Sequence, residues 1–288
     1  MAKNRVIIGI GLMVLGSAFL SGKDGLVKSF LHQVDPIQII WMQFAGTFLV
    51  MALIAFPTHG LRVFRPRPLG GQFLRGAMNI CAVASLYWAL TYIPLADATA
   101  MLLFAPAVAT VLSPVVLGEK IGLPRITAVL VGFCGVMVIL RPGFYGDQVG
   151  YYIGLMAGVL LGGYFLANRR LAGGQPIILE ITHNALMGAL ALSPLVPLFW
   201  CPIPEVLTWT LVIGLGMAII GQGSMIASFK FGPTAVISPY SYTMLIFAAA
   251  IGYFAFDTIP DVFTWIGITL IVGSGIYIAH RERKAVGT

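Results

Sequence analysis

The chain has 288 residues, 59% hydrophobic and only 9% charged, with a formal net charge of +7 and a mean hydropathy of +0.95. This composition excludes a soluble globular domain and belongs to the polytopic membrane class. The positive charge does not point to nucleic acid, because the basic residues come in ones to threes at the ends of apolar runs and read as topology signals.

With roughly 20 apolar residues per crossing plus a short connection, a chain of this length holds about ten spans. Breaks at Pro, Gly and charge set them at 5–31, 36–57, 70–93, 95–117, 124–141, 148–168, 175–199, 206–229, 234–256 and 261–279. Span 1 reads as an uncleaved first crossing, since no A-x-A-type cleavage site is evident and the apolar run continues to Leu20. Span 1 also carries Lys23 and Asp24, which are expensive at depth in a bilayer and normally face a cavity or a partner. Ser17, Ser21, Asp24 and Lys28 fall on one helix face. The bland alternative is an ordinary i, i+4 pair of Asp24 and Lys28 near the interface, with the lysines snorkelling.

Span 3 contributes Asn79, Tyr87, Trp88 and Tyr92, and span 6 adds Tyr164. In a cavity these aromatics would form an apolar, stackable wall with hydroxyl handles, whereas near a span end, as for Tyr92 and Tyr152, they read as an interfacial belt. Span 4 contains Pro106, which removes a backbone donor and frees a carbonyl near the midplane. The glycines Gly154, Gly158 and Gly162 of span 6 and Gly214, Gly216, Gly221 and Gly223 of span 8 read as surfaces for close helix contact.

Span 7 holds Glu180, His183 and Asn184 on one face, suited to proton relay or to gripping an amino group, although Glu180 also fits a solvated helix start. Span 8 carries Gln222, Ser224 and Ser228, and span 9 carries Ser238, Tyr240, Ser241 and Tyr242 around Pro239. These are candidates for a polar site at a broken helix, with packing as the alternative.

The stretch Ser85 to Glu119 recurs as Ser224 to Asp257, pairing Ser85 with Ser224 and Tyr92 with Phe231. Repeats of five spans, an odd number, must enter the bilayer in opposite senses, so residues 1–145 and 146–288 are expected to form two inverted repeats of one transport unit. Spans 3 and 4 are then expected to face spans 8 and 9 across a pseudo-two-fold axis. With both termini cytoplasmic, 14 of the 17 basic residues, Arg75 among them, collect on the cytoplasmic side, while Asp97, Asp147, Asp257 and Asp261 are read as outer-loop acids.

The five-plus-five layout, Gly16, Ser17 and Lys23 in the first span, Gly118-Glu119 at the repeat end and the spaced glycines of spans 5 and 10 resemble the EamA branch of the drug/metabolite transporter superfamily. Size and layout are similar to its YddG-type exporters of aromatic and other amino acids. The resemblance implies an all-α membrane protein of ten helices in two inverted repeats that exports small metabolites, amino acids first, through a central cavity. Gln43 departs from the family, many of whose members carry a basic residue about there.

On this reading the substrate-binding residues are Asn79, Tyr87, Trp88, Tyr164, His183, Asn184, Gln222, Ser224, Ser238, Tyr240 and Tyr242, with Lys23, Asp24 and Glu180 in coupling or gating. No cofactor, metal or nucleic acid is expected, the partners being a small molecule and the lipid of an inner membrane, and a monomer suffices. Another amphipathic cargo (nucleoside, sugar, purine or drug) and a channel-like facilitator remain as alternatives. An enzyme is disfavoured, because the four histidines fall in separate segments without an H-E-x-x-H pattern, and the absence of a P-loop pattern argues against ATP coupling.

Overall fold

A computed structural model describes residues 2–118, 122–141, 148–171, 175–228, 230–231 and 237–286. Glu119, Lys120, Asp147 and Pro233 lie outside the described residues, as do the side chains of Lys3, Arg125, Ser238, Arg281, Arg283 and Lys284.

The chain is all-helical. Its helices are α1 (Ala2–Phe30), α2 (Pro36–His59), α3 (Leu69–Tyr92), α4 (Leu95–Leu102), α5 (Ala105–Leu117), α6 (Leu123–Leu140), α7 (Val149–Leu171), α8 (Ile177–Leu192), α9 (Glu205–Ser228), α10 (Thr243–Phe256) and α11 (Val262–Val286). Because α4 and α5 are two pieces of span 4, these helices build ten crossings. Seven of the spans are long and apolar enough to cross a membrane by length alone, and shorter apolar helices at Ile126–Leu140, Ile178–Leu192 and Val262–Tyr277 complete the set. Leu53, Val115 and Phe254 stand exposed on the outside of the bundle, as lipid-facing side chains do.

Local chemistry accounts for the helix ends. The Asp35 carboxylate accepts the Ile37 amide at 2.8 Å, and Pro36 occupies the first turn of α2, where its missing N–H costs nothing. Gly118 takes a left-handed conformation (φ 70°) that stops α5. Span 7 ends earlier than its apolar run suggests: α8 stops at Leu192, and Pro194 and Pro197 carry the chain through a 3-10 turn at Val196–Leu198. Span 4 breaks at Leu103–Phe104, just ahead of Pro106, which has no N–H to give the preceding turn. In span 9 the corresponding irregularity is a 3-10 turn over Ser238–Tyr242 that contains Pro239.

Helix pairing follows the repeat. The first span, α1, lies along α9, and the pseudo-equivalent pair is α3 along α7. Three further pairs join a span to its own counterpart: span 2 with span 7 as α2 on α8, span 4 with span 9 as α4 on α10, and span 5 with span 10 as α6 on α11. The ten crossings of the described residues thus form two inverted repeats of five. The expectation that spans 3 and 4 face spans 8 and 9 holds only for span 4 on span 9. Span 3 instead packs on span 6 and span 8 on span 1, because the glycine faces draw those pairs together.

Gly135 and Gly267 let α6 and α11 cross backbone to backbone: a Cβ at Gly135 would stand 2.7 Å from the Gly267 carbonyl oxygen, and one at Gly267 would stand 2.6 Å from that of Gly135. The glycine stripe of α7 clasps the break in span 4, with Gly158 against the Met101 carbonyl and a Cβ at Gly162 coming 2.8 Å from the Ala105 carbonyl oxygen. On α9 only Gly221 makes such an approach, to Gly16 and Leu20, while Gly214, Gly216 and Gly223 have open space where a Cβ would stand. Most glycines of span 8 therefore serve no close contact in this conformation, contrary to the reading of that span as one packed surface.

Candidate substrate site

One face of α1 supplies the centre of the bundle. Ser17 Oγ donates to the Ser241 carbonyl at 3.5 Å and Ser21 Oγ to that of Met244 at 2.9 Å, tying α1 to the irregular start of span 9. Lys28 does not pair with Asp24. Its ammonium donates to the carbonyls of Leu90 (2.8 Å) and Ile93 (2.6 Å), the orphan acceptors at the C-terminal end of α3, where the helix dipole favours a cation.

Lys23 and Asp24 are both buried, with Lys23 Nζ 2.6 Å from Asp24 Oδ1. The same ammonium donates to Tyr87 Oη at 3.1 Å, and Tyr87 Oη donates to Gln43 Oε1 at 2.5 Å. A cation, an anion, a hydroxyl and an amide from α1, α3 and α2 thus meet about 10 Å along α1 from its Phe30 end, at 1.5 Å per residue. Beside them a cleft with about 110 Å³ open to a water-sized sphere runs between α1, α2 and α9. Lys23 and Gln43 are its polar end, and Phe30, Met42, Leu211 and Leu215 are among the apolar residues of its walls. A cleft polar at one end and apolar along its walls suits an amphipathic molecule.

A second polar group lies toward the other end of the bundle. Arg75 is only 1% exposed. Its Nη2 donates to the Glu180 carbonyl at 2.6 Å and its Nη1 to Asn168 Oδ1 at 3.4 Å, linking α3 to α8 and α7. His183 Nε2 meets the Arg62 carbonyl at 2.9 Å, and Tyr164 and Glu180 stand within electrostatic reach of the guanidinium. Asn184 is buried in the same helix turn as His183.

A third group joins the repeats where α6 stops and α11 starts. Arg141 pairs with Asp261, whose second oxygen accepts the Thr264 amide at 2.8 Å, and the Tyr151 hydroxyl donates to buried Asp97 at 2.8 Å. Burial works to raise the Asp261 carboxyl, but hydrogen bonds from Arg141 and Thr264 outweigh it and hold the group below the usual carboxylate range. A folded-state value below the unfolded one, about 3.9, gives stability that is present above that pH and lost as pH falls through the folded value. The protection factor of the Thr264 amide in hydrogen exchange is therefore expected to drop on acidification below about pH 4. Asp261→Asn should make it low throughout; protection that ignores pH in the wild type would show that the pair does not order this end.

The structure brings together Lys23, Asp24 and Tyr87 in one cluster, and Tyr164, Glu180, His183 and Asn184 around a second. Trp88 does not join its neighbour Tyr87. It is 38% exposed and lies in a shallow outward groove with Cys81, Tyr92 and Ile153, because adjacent helical residues point about 100° apart. Gln222 and Tyr240 are exposed and outside the Lys23 cleft, and Tyr242 lies over Gly275 of α11. The face that α9 turns inward is that of Gly221, so Gln222 points away. Asn79 and Ser224 are half-buried, without a place in either cluster.

Three residues acquire roles that their sequence setting hid. Arg75 read as a topology signal near a span end but is buried, and Asp97 read as a loop acid but is buried against Tyr151. Gln43 stood out only as a departure, although it completes the Lys23 cluster through Tyr87. Arg75 lies six residues inside α3, and that depth was the available signal.

The EamA-like transporter family matches the chain twice, over residues 7–141 and again over 148–279, once for each five-helix half. The chain belongs to the EamA-like transporter family. It is accordingly a multi-pass membrane protein that transports small molecules, and not an enzyme. Similar proteins include the S-adenosylmethionine uptake transporter of Rickettsia conorii, 23% identical over 99% of this chain and 97% of that protein. The pseudopaline exporter CntI of Pseudomonas aeruginosa is 26% identical over 96% of this chain and 97% of its own. The riboflavin transporter of Vibrio cholerae is 26% identical over 82% and 80%. A solved crystal structure shares the fold with a TM-score of 0.64 at 20% identity, covering 98% of this chain and 99% of that one. These EamA relatives carry different cargoes and do not single out the YddG-type amino-acid exporters.

Proposed function

We propose that this EamA protein is a secondary transporter of amino acids, aromatic ones included, which it exports by alternating exposure of the Lys23 cleft. The observation that carries the reading is buried Lys23, paired with Asp24 behind it, at the polar end of an apolar cleft. A zwitterion presents one carboxylate and one ammonium. It can exchange for the internal pair, its carboxylate meeting Lys23 and Tyr87 and its ammonium meeting Asp24 and Gln43, so that no charge is left unpaired at depth.

An aromatic or aliphatic side chain then fills the space between Phe30, Met42 and Leu215. Where many family members carry a basic residue about the position of Gln43, this chain supplies its cation from α1, and Tyr87 carries the connection across. The basic residues at the span ends support an inner-membrane orientation with both termini cytoplasmic, a bias that survives withdrawing buried Arg75 from the count. Similar proteins bear names for uptake and for export, so the direction rests on the family resemblance alone.

Counterflow of a labelled panel into proteoliposomes tests the proposal, with amino acids, a nucleoside, a sugar and riboflavin compared at one concentration. Zwitterionic amino acids with apolar side chains are expected to exchange fastest. Exchange confined to the uncharged members would refute the assignment of the cleft. Repeating the assay under an imposed pH gradient separates proton coupling from passive flux.

A further inference from the structure

Repeat symmetry relates the Lys23 cleft to the Arg75 group. Carrying the offset that pairs Ser85 with Ser224 across the chain sets Gly214, which lines the cleft, against Arg75. It sets Gln43 against Thr182, the neighbour of His183, and Lys23 against Gly162, two residues before Tyr164. A cleft built from α1, α2 and α9 therefore has its inverted counterpart at α7, α8 and α3, where the second polar group stands.

The two places differ in openness. The first holds the cleft, whereas at the second α3 packs directly on α8: a Cβ at Gly76 would come 2.7 Å from Met187 Cβ. The closed place is also under-satisfied. Among the described residues Arg75 forms no ion pair, and its guanidinium is held by a backbone carbonyl and an amide. Arg75 Nε, His183 Nδ1 and Asn184 Oδ1 are all buried without a hydrogen-bond partner. A buried cation that the Glu180 carboxylate reaches only beyond ion-pair distance is costly, and so are buried donors and acceptors left unpaired.

We propose that Arg75, His183 and Asn184 form a second binding site for the carboxylate-bearing head of the transported molecule, occupied when the bundle opens at the end opposite the Lys23 cleft. The site deepens the transport reading above and rests on it. The carboxylate pairs with the Arg75 guanidinium, and His183, whose Nε2–H is given to the Arg62 carbonyl, presents Nδ1 as an acceptor for the ammonium. Asn184 Oδ1 accepts from the same ammonium. Exchanging the two packings between the repeats closes α2 on α9 and opens α3 from α8, the rocking that inverted repeats permit. One helix links the two stations, since Tyr87 and Arg75 lie twelve residues, about 18 Å, apart along α3.

The test is binding of radiolabelled phenylacetate, a carboxylate without an ammonium, to the purified full chain in detergent. Lys23→Gln is expected to keep a residual binding that Lys23→Gln/Arg75→Gln loses by tenfold or more in half-saturating concentration, while Lys23→Gln/Arg75→Lys keeps part of it. A double variant that binds as Lys23→Gln does, or a wild type that binds no phenylacetate, overturns the second site. If Arg75→Gln does not yield a monodisperse protein, Arg75→Lys in the Lys23→Gln background replaces it, since it keeps the charge but loses the guanidinium fork. A weakening of threefold or more then supports the site, and unchanged binding overturns it. Counterflow of L-phenylalanine separates the two proposals. Exchange by the wild type alongside an unaltered double variant leaves the transport reading standing without the second site. Arg75-dependent phenylacetate binding, with no amino acid exchanged, leaves the site and removes the amino-acid cargo.

Discussion

Lys23→Met is expected to lower counterflow of the transported amino acid by about ten- to a hundredfold, the loss of one charge-assisted hydrogen bond worth roughly 1.5–3 kcal/mol. It should also destabilise the bundle, because Asp24, buried at 3% exposure, is left without its counter-ion. Breaking a buried pair by removing one partner costs about 3–5 kcal/mol, whereas replacing both partners by apolar groups is often neutral. The double variant Lys23→Met/Asp24→Leu is therefore expected to recover thermal stability without recovering transport. That dissociation distinguishes a binding site from a structural pair. Counterflow that returns together with stability would show that the pair only holds α1 in place.

Gly158→Val is expected to be the most damaging single substitution in the packing of the bundle. A Cβ at Gly158 would stand inside the contact shell of the Met101 carbonyl oxygen, a backbone atom at the break in span 4 that has no rotamer through which to escape. Overpacking costs about 1–3 kcal/mol and occasionally more, and here α4 and α7 must separate to relieve it. The fraction of protein recovered monodisperse after extraction should fall, with transport falling alongside. Gly223→Ala is the matched control. Nothing lies within 4 Å of a Cβ there, so that variant should behave as wild type or gain up to about 1 kcal/mol from helix propensity. Equal behaviour of the two variants would mean that the clasp of α7 on the broken span does not hold the bundle together.

The contrast between these glycines shows where sequence reasoning reaches its limit. Gly154, Gly158 and Gly162 recur every fourth residue and do pack, while Gly214, Gly216 and Gly223 look equally purposeful and meet nothing. Spacing specifies a face of a helix but not the azimuth at which that face meets a neighbour. Tyr87 and Trp88 make the same point, adjacent in sequence yet one wholly buried in the Lys23 cluster and the other 38% exposed in an outward groove. Lys23 and Asp24 were legible because an ion pair at depth is costly wherever its helix turns. Arg75 was not, because a basic residue near a span end has a cheap explanation in topology, and only its burial against Glu180 and Asn168 removes that explanation.

The sequence by itself determined the all-helical membrane class, the ten crossings, the duplication and the inversion. Each follows from local quantities: apolar length against bilayer thickness, the position of Pro106, and an odd number of spans per repeat. Only the tertiary structure decided that span 3 lies on span 6 and span 8 on span 1, that Tyr87 bridges Lys23 to Gln43, and that a cleft stands open on one side of the pseudo-symmetry while its counterpart at Arg75 is closed. Those facts depend on which faces meet across more than a hundred residues of chain, and in lipid that choice is made by close packing and by paired polar groups rather than by hydrophobicity, which every face of a membrane helix shares.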